Sequence, residues 1–339
     1  MATRFELVLH GENAVSLRAA GEEVLQEIER LEAQLSLFRP TSEIAHLNAR
    51  AASESVRVTP EVFRLLENSK LLSEQTGGAF DITVAPLVRC WGFMGGSGAP
   101  PRPEALAEAR ASVGMHLVQL NPADFTVRFA RRGVMLDLGA IGKGYAIERA
   151  ADLLREAGVT SALIHGGTST VYSLGYPPDA TSWKIAIENP QNKPGVQTGS
   201  GASPPAAGQS PGLVSIAGKG GQNGGLTFLA TVSLQDEARS GSAVWGKFFQ
   251  AEGKTFGHVI DPRTGQPAAG AVLAAVVLPS ATETDALSTA LLTLGSSGHS
   301  QIAALRPAMR TLLVEPAEGG FRVENRNLAL SEGLDKKRV

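Results

Sequence analysis

The stretch Leu136–Leu154, "LDLGAIGKGYAIERAADLL", places a lysine between two glycines at what reads as the start of a helix. A Walker-type phosphate loop requires G-x-x-x-x-G-K-[ST]. Counting back from Gly142-Lys143, the first glycine position holds Asp137, and Gly144 stands where a Ser or Thr would hold magnesium. A dinucleotide fingerprint requires G-x-G-x-x-G, and Ile141 occupies its second glycine position. Neither motif is present. What remains is an apolar strand end carrying an acid, a glycine-rich turn, a lysine and then a helix. That helix is supported by Ala146, Ile147, Ala150, Leu153, Leu154 and Ala157 at helical spacing, with Gly158 placed to end it. Free N–H groups at a helix start beside a lysine suit an anion. A plain strand-to-helix connection with a solvated lysine has the same sequence, and the stretch alone leaves both readings open.

Composition narrows the class. The 339 residues suffice for a large core, and 43% hydrophobic with 19% charged residues is the balance of a globular protein. A net charge of −2 provides no field to gather nucleic acid or an anionic membrane. The single cysteine, Cys90, excludes an internal disulfide framework and reads as a small buried hydrophobe in "PLVRCWGF". "MATRFELVLHG" alternates like a strand from the outset, without the basic start and apolar core of a signal peptide. The longest apolar run, "AAGAVLAAVVL", is too short to span a bilayer. As given, the chain therefore reads as soluble.

Helices and strands intermix along the chain, which predicts an α/β or α+β fold. "AVSLRAAGEEVLQEIERLEAQLSLF" reads as a long amphipathic helix, and "RVTPEVFRLLENSKLLSEQTGG" as a second, started by Thr59-Pro60-Glu61 and stopped by Gly77-Gly78. "PPRPEALAEARASVG" is a third. "LVQL", "TVRFA", "VMLDL" and "SALIHGG" read as strands. One segment breaks the pattern: residues from about 190 to 226 are mostly Gly, Pro, Ser, Ala and Gln. Such a composition buries too little apolar surface to offset ordering entropy, so it reads as a flexible surface insertion between "WKIAIENP" and "FLATVSL". The chain is expected to be a single domain, 1–339, with that insertion and a C-terminal tail from about residue 318.

Three further stretches carry chemistry. In "TETDALSTALLTLG", Asp285 and Thr289 are four apart on a predicted helix, so carboxylate and hydroxyl share a face. Two hard oxygen ligands suit Mg²⁺, which completes its shell with water and phosphate. Equally, Asp285 could simply complement the helix N-terminus while Thr289 packs. In "KTFGHVIDPRTGQP", Phe256, His258 and Ile260 share a strand face ahead of the turn Asp261–Gly265. A histidine held there is either an acid–base group or a structural residue. The other histidines lack such context, although His165 directly precedes Gly166-Gly167. In "TGGAFDITVAPLVRCWGF", the glycine pair is followed by Phe80 and Asp81. Close backbone approach and an aromatic face suit a flat ring, although a helix-ending glycine pair needs no ligand.

Taken in order, "MATRF", "LSLFRPTSEIAHLN", "TGGAFDITVAPLV", "LDLGAIGKGYAIERAADLL", "GGTSTVYSLG", "HVIDPRTG" and "TDALSTALLTLG" resemble the FAD:protein FMN transferase family, the ApbE-type flavin transferases. The likeness runs from Met1 to about Gly295. It implies a T-fold-like α/β unit with FAD in a cleft between subregions. It implies Mg²⁺ as the metal and FAD as the substrate, cleaved with transfer of FMN to a Thr or Ser of an acceptor protein and release of AMP. Carried over by position, Met1 and Phe38 match residues around the flavin, and Ala79, Phe80 and Asp81 match a further contact. Asp137 and Lys143 match FAD-contacting positions of the loop, and Ile260 lies in a flavin-contacting strand. Ala140 matches a position whose backbone carbonyl ligates the metal, while Asp285 and Thr289 match its side-chain ligands. His258 matches a histidine near the reacting phosphate and is the candidate base.

Departures from the pattern matter too. Where the family reads roughly Thr-Ser-Gly-Asp-Tyr, this chain has Arg239-Ser240-Gly241-Ser242-Ala243. Many members are exported lipoproteins, whereas this chain starts at the first motif. Two alternative functions use the same site: an FAD pyrophosphatase with water as acceptor, and a flavin-binding protein without turnover. Within the insertion, Ser200-Gly201-Ala202-Ser203 looks like the core of the family's acceptor motif but lacks its upstream acid, and Gly/Ser/Pro-rich sequence produces such tetrapeptides by chance.

Overall fold

A computed structural model of the chain describes residues 3–190, 193, 228–317 and 320–328. Strand β1 (Phe5–His10) leads into the long helix α1 (Ala14–Leu35), then α2 (Glu43–Arg50), β2 (Val56–Arg57) and α3 (Pro60–Gln75). Two short helices, α4 (Ala85–Cys90) and α5 (Pro103–Arg110), precede β3 (Val118–Asn121), β4 (Thr126–Phe129) and α6 (Gly142–Glu156). Next come β5 (Ser161–Gly166), β6 (Thr170–Leu174), β7 (Trp183–Glu188), β8 (Phe228–Leu234) and β9 (Glu237–Ala243). They are followed by β10 (Phe248–Ala251), β11 (Lys254–Gly257) and β12 (Leu273–Leu278). The described chain closes with α7 (Ala281–Leu294), α8 (Ser296–Ala304), β13 (Arg310–Ala317) and β14 (Gly320–Arg326).

The central sheet has seven strands in the order β1-β5-β6-β9-β12-β13-β14, and every neighbouring pair is antiparallel. The expected mixed fold is therefore built on antiparallel rather than parallel pairing. Helices α6 and α7 cover one face, with α1 packed beside α6 against β1. The antiparallel pair β7–β8 covers the other, where Ile185, Ile187, Leu229 and Val232 join Val171, Val277 and Leu312 in one core. Burial on both faces explains why β12, "LAAVVL", is apolar throughout instead of alternating. A third region, α2 to β4, rests on α7 through a core that includes Ile44, Phe63, Phe80, Leu136 and Leu287.

The predicted helices form where expected. Asn13 caps α1 by accepting from the Val15 and Ser16 amides, and α3 starts at Pro60 as its start signal implies. Three expectations need correction. "VMLDL" is not a strand: Asn48 takes the Leu136 N–H (2.7 Å) and carbonyl (3.0 Å), and the Asp137 N–H goes to the Ile82 carbonyl (2.7 Å). With those groups occupied, no ladder forms. Residues 320–326, inside the stretch expected to be a tail, are edge strand β14 instead, because "GFRVENR" pairs with β13 from Gly320 to Arg326. Cys90 is half-buried at the end of α4, not enclosed, although burial still pushes its thiol pKa up. Among the described residues, no helix is long and apolar enough to cross a membrane.

Candidate active site

The turn from Asp137 to Gly144 is fixed from both sides. Upstream, the Asn48 clamp holds Leu136, and Asp137 Oδ1 accepts the Gly139 N–H at 2.8 Å. Downstream, the first turn of α6 meets the first turn of α7. A Cβ on Gly144 would lie 2.1 Å from the Ala281 carbonyl oxygen and 2.8 Å from Asp285 Cβ. The glycine that spoiled the Walker match is thus required by this contact. It also leaves its own N–H free to donate to Asp285 Oδ2 at 3.0 Å.

Asp285 anchors one wall of a cleft. It is only 3% exposed. Lys143 Nζ lies 3.5 Å from its Oδ1 and donates to the Gly139 carbonyl at 3.1 Å. Thr170 Oγ1 donates to Oδ1 at 3.4 Å. Ser240 links Thr170 (3.2 Å) and Thr284 (2.9 Å), while Ser242 Oγ stands 2.9 Å from Ser288 Oγ and 3.0 Å from Thr289 Oγ1. Register explains the row: Thr170 and Val276 pair with Ser240, so the even-numbered residues of β9 face α7. Asp285 and Thr289, four apart on α7, supply the facing groups, as their spacing predicts.

His258 stands at another edge of the cleft, just beyond the end of β11. The expected strand stops at Gly257, and Ile260 makes only an isolated bridge to Pro267. Both the His258 N–H and Nδ1 lie 3.1 Å from the Lys247 carbonyl. A carbonyl only accepts, so a neutral His258 carries its proton on Nδ1 and leaves the Nε2 lone pair available. Burial lowers its pKa, opposed by that hydrogen bond and reinforced by the charges of Lys247 and Lys143. Asp137 is shifted up, chiefly by burial, against the Gly139 N–H and the nearby lysines.

The cleft has a volume of about 1130 Å³, enough for a dinucleotide-sized ligand. Phe38, Asp81, Asp137, Ala140, Lys143, His258, Ile260, Asp285 and Thr289 all line it. Phe38 is 71% exposed, an aromatic face open to a ring. Asp81 plays a different part from its neighbours. Its oxygens accept from the Thr83 N–H and hydroxyl, the Met115 N–H and Ser73 Oγ, at 2.6–3.2 Å. Ala79 and Phe80 are in the main core, so the Phe80 ring is not presented to the cleft as its sequence context suggested. Met1 and Ser203 lie outside the described residues.

The structure adds residues that the motifs did not single out for the site. Thr170, Ser242 and Lys247 line the cleft, and the spacing of Ser240 and Ser242 in a strand was the available signal for a hydroxyl row. Arg239 also lines it, from the β7–β8 side of the sheet. It is 7% exposed, and burial pushes its pKa down to about 10, with Glu188 acting the other way. The guanidinium is therefore still charged at neutral pH.

A model of the ApbE family matches residues 1–313. The chain belongs to the ApbE family. An FAD:protein FMN transferase of Treponema pallidum is 30% identical over 317 residues, covering 89% of this chain and 79% of the relative. One from Haemophilus influenzae is 27% identical, covering 90% and 82%. Among solved structures, the ApbE protein of Thermotoga maritima superposes with a TM-score of 0.76 at 23% identity, covering 96% of this chain and 97% of the other. The Pseudomonas stutzeri flavinyl transferase ApbE gives 0.74 at 24%, covering 96% and 95%. The family and the mixed α and β fold implied by the sequence are both borne out.

Proposed function

We propose that this ApbE-family enzyme is an FAD:protein FMN transferase that cleaves the pyrophosphate of FAD, transfers FMN to a Thr or Ser hydroxyl of an acceptor protein, and releases AMP. The observation that carries the reading is the junction of α6 and α7. It brings a cation, a buried carboxylate, a backbone N–H and a row of hydroxyls to one wall of a cleft large enough for FAD.

The hard-oxygen donors of this wall suit Mg²⁺. Among the described residues, no three His, Cys, Asp or Glu side chains cluster as a metal cage. The groups present are one carboxylate and several hydroxyls, all hard oxygens, which fits an ion that keeps few protein ligands and prefers water and phosphate. Asp285 and Thr289 would hold it, with the carbonyl of Ala140. When bound, Mg²⁺ would neutralise charge on the pyrophosphate. Lys143 orients the phosphates, and Phe38 supports the flavin ring. His258 Nε2 accepts the proton of the acceptor hydroxyl as its oxygen forms the new bond to the FMN phosphorus. The P–O bond to AMP breaks, and AMP leaves with the electron pair.

Hydrolysis is the same reaction with water as acceptor. The change at Arg239–Ala243, beside the hydroxyl row, is the specific reason to test it. The protein is incubated with FAD, Mg²⁺ and a candidate acceptor while AMP and covalently bound flavin are followed. AMP together with yellow acceptor carrying the FMN mass is the expected result. AMP with only free FMN identifies a pyrophosphatase, and bound flavin without AMP a non-catalytic binder.

A further inference from the structure

The segment that departs from the family pattern places a buried cation in the cleft. Arg239 pairs with Val171 on β6 and Val277 on β12, so its side chain lies on the β7–β8 face, opposite the Asp285 wall. It does not point straight out from the sheet. A Cβ on Gly241 would lie 2.9 Å from Arg239 Nη2 and 3.2 Å from Cζ. The guanidinium therefore runs along β9 and occupies the space that Gly241 leaves by having no side chain. That puts it one residue from Ser242, whose hydroxyl touches Thr289 on the other face. Arg239 and Ser242, on opposite faces of β9, both line the same cleft.

Its electrostatic balance is incomplete. Nε is buried without a hydrogen-bond partner among the described residues. Among the described residues, Glu188 is the one acid acting on it, and that carboxylate is already paired with Lys193 at 2.6 Å. Arg239, Lys193 and Glu188 together carry one net positive charge among apolar side chains such as Ile185 and Leu273. A buried donor left unsatisfied and a buried charge left unpaired are both costly, and an oxyanion in the cleft removes both costs. Guanidinium is the group best suited to phosphate oxygens.

We infer that Arg239 is a second phosphate anchor, gripping a phosphate of the nucleotide from the face of β9 opposite Lys143 and thereby setting affinity for the nucleotide part of the substrate. The inference rests on the proposed use of FAD. A ligand passing over the end of β9 meets Lys143 and the hydroxyl row on one side and Arg239 on the other. Any side chain at Gly241 would displace the guanidinium from this place.

The test is calorimetric titration of the whole protein with AMP and with adenosine, comparing wild type, Arg239→Met and Arg239→Lys, with thermal unfolding run on each. Loss of a charged hydrogen bond corresponds to a weakening of about 10- to 100-fold. The expected result is that amount for AMP in Arg239→Met, partial recovery in Arg239→Lys, and unchanged adenosine affinity. Equal AMP affinity in wild type and Arg239→Met overturns the inference, as does a parallel loss of AMP and adenosine, which would make Arg239 a shaping residue. Release of AMP from FAD by the wild type is measured alongside. If that release occurs while the titrations are insensitive to Arg239, only the inference fails. If FAD is not cleaved, the proposed function fails whatever the titrations give.

Discussion

Asp81 and Asp285 are both carboxylates buried beside the same cleft, at 7% and 3% exposure, yet their surroundings differ in kind. Asp81 receives four neutral donors from its own fold, three of them within 3.0 Å, tying α3 to the Thr83 and Met115 segments. Asp285 has one good backbone donor, a long bond from Thr170 at 3.4 Å and a lysine at 3.5 Å. Burial is common to both and does not distinguish them. What distinguishes them is whether the fold has used up the lone pairs. Saturated acids hold structure, and an acid with loose partners retains capacity for a ligand.

The largest expected effects come from exchanging the two. Asp285→Asn keeps an oxygen for the Gly144 N–H but loses its charge, so FAD cleavage should fall about 10²–10³-fold or more, with little change in unfolding midpoint. Asp81→Asn turns a donor toward groups that already donate, and should lower stability by about 1–3 kcal/mol in denaturant titrations. Similar stability losses in both variants would break the comparison.

His258→Asn should reduce transfer by about 10²–10⁴-fold while leaving FAD affinity near wild type. Parallel loss of affinity and turnover would make His258 a binding residue. The pH profile gives an independent reading. Burial and neighbouring lysines disfavour the protonated ring, so the neutral base persists as pH falls. The acid limb of the wild-type rate should lie below about 6.5, the ordinary histidine value, and a limb above it contradicts the role.

Gly144→Ala probes the junction itself. Its methyl group cannot coexist with the Ala281 carbonyl at 2.1 Å, so the two helix starts must separate, at a cost of about 1–3 kcal/mol. Cleavage should drop as Lys143 moves from Asp285. Unchanged stability and turnover would show that the junction is loose. The smallest effect is expected at Phe38→Ala: an exposed ring can be removed without unfolding, and loss of one ring contact of about 0.5–1.5 kcal/mol weakens FAD binding about 2- to 10-fold.

Much of this was legible from local patterns. Asp285 and Thr289 on one helical face, the proline-started α3 and the helix after Gly142 all follow from spacing and end signals that act within a few residues. What escaped depends on distant partners. "VMLDL" has the composition of a strand, but Asn48, 88 residues away, takes its backbone groups. Phe80 follows a glycine pair that suggested a ring platform, and tertiary packing put it in the core instead. Gly144 looked like a missing hydroxyl because its neighbour Ala281 is unknowable from the loop. The direction of Arg239 required the register of β9 against both β6 and β12.

The most direct test of the account is a crystal structure of the protein soaked with FAD and Mg²⁺. The expected result is the diphosphate held between Lys143 and the Asp285–Thr289 wall, with the isoalloxazine against Phe38 and Asp81 still bonded only to its own fold. A diphosphate bound away from Lys143 and Asp285, or one displacing the partners of Asp81, would contradict it.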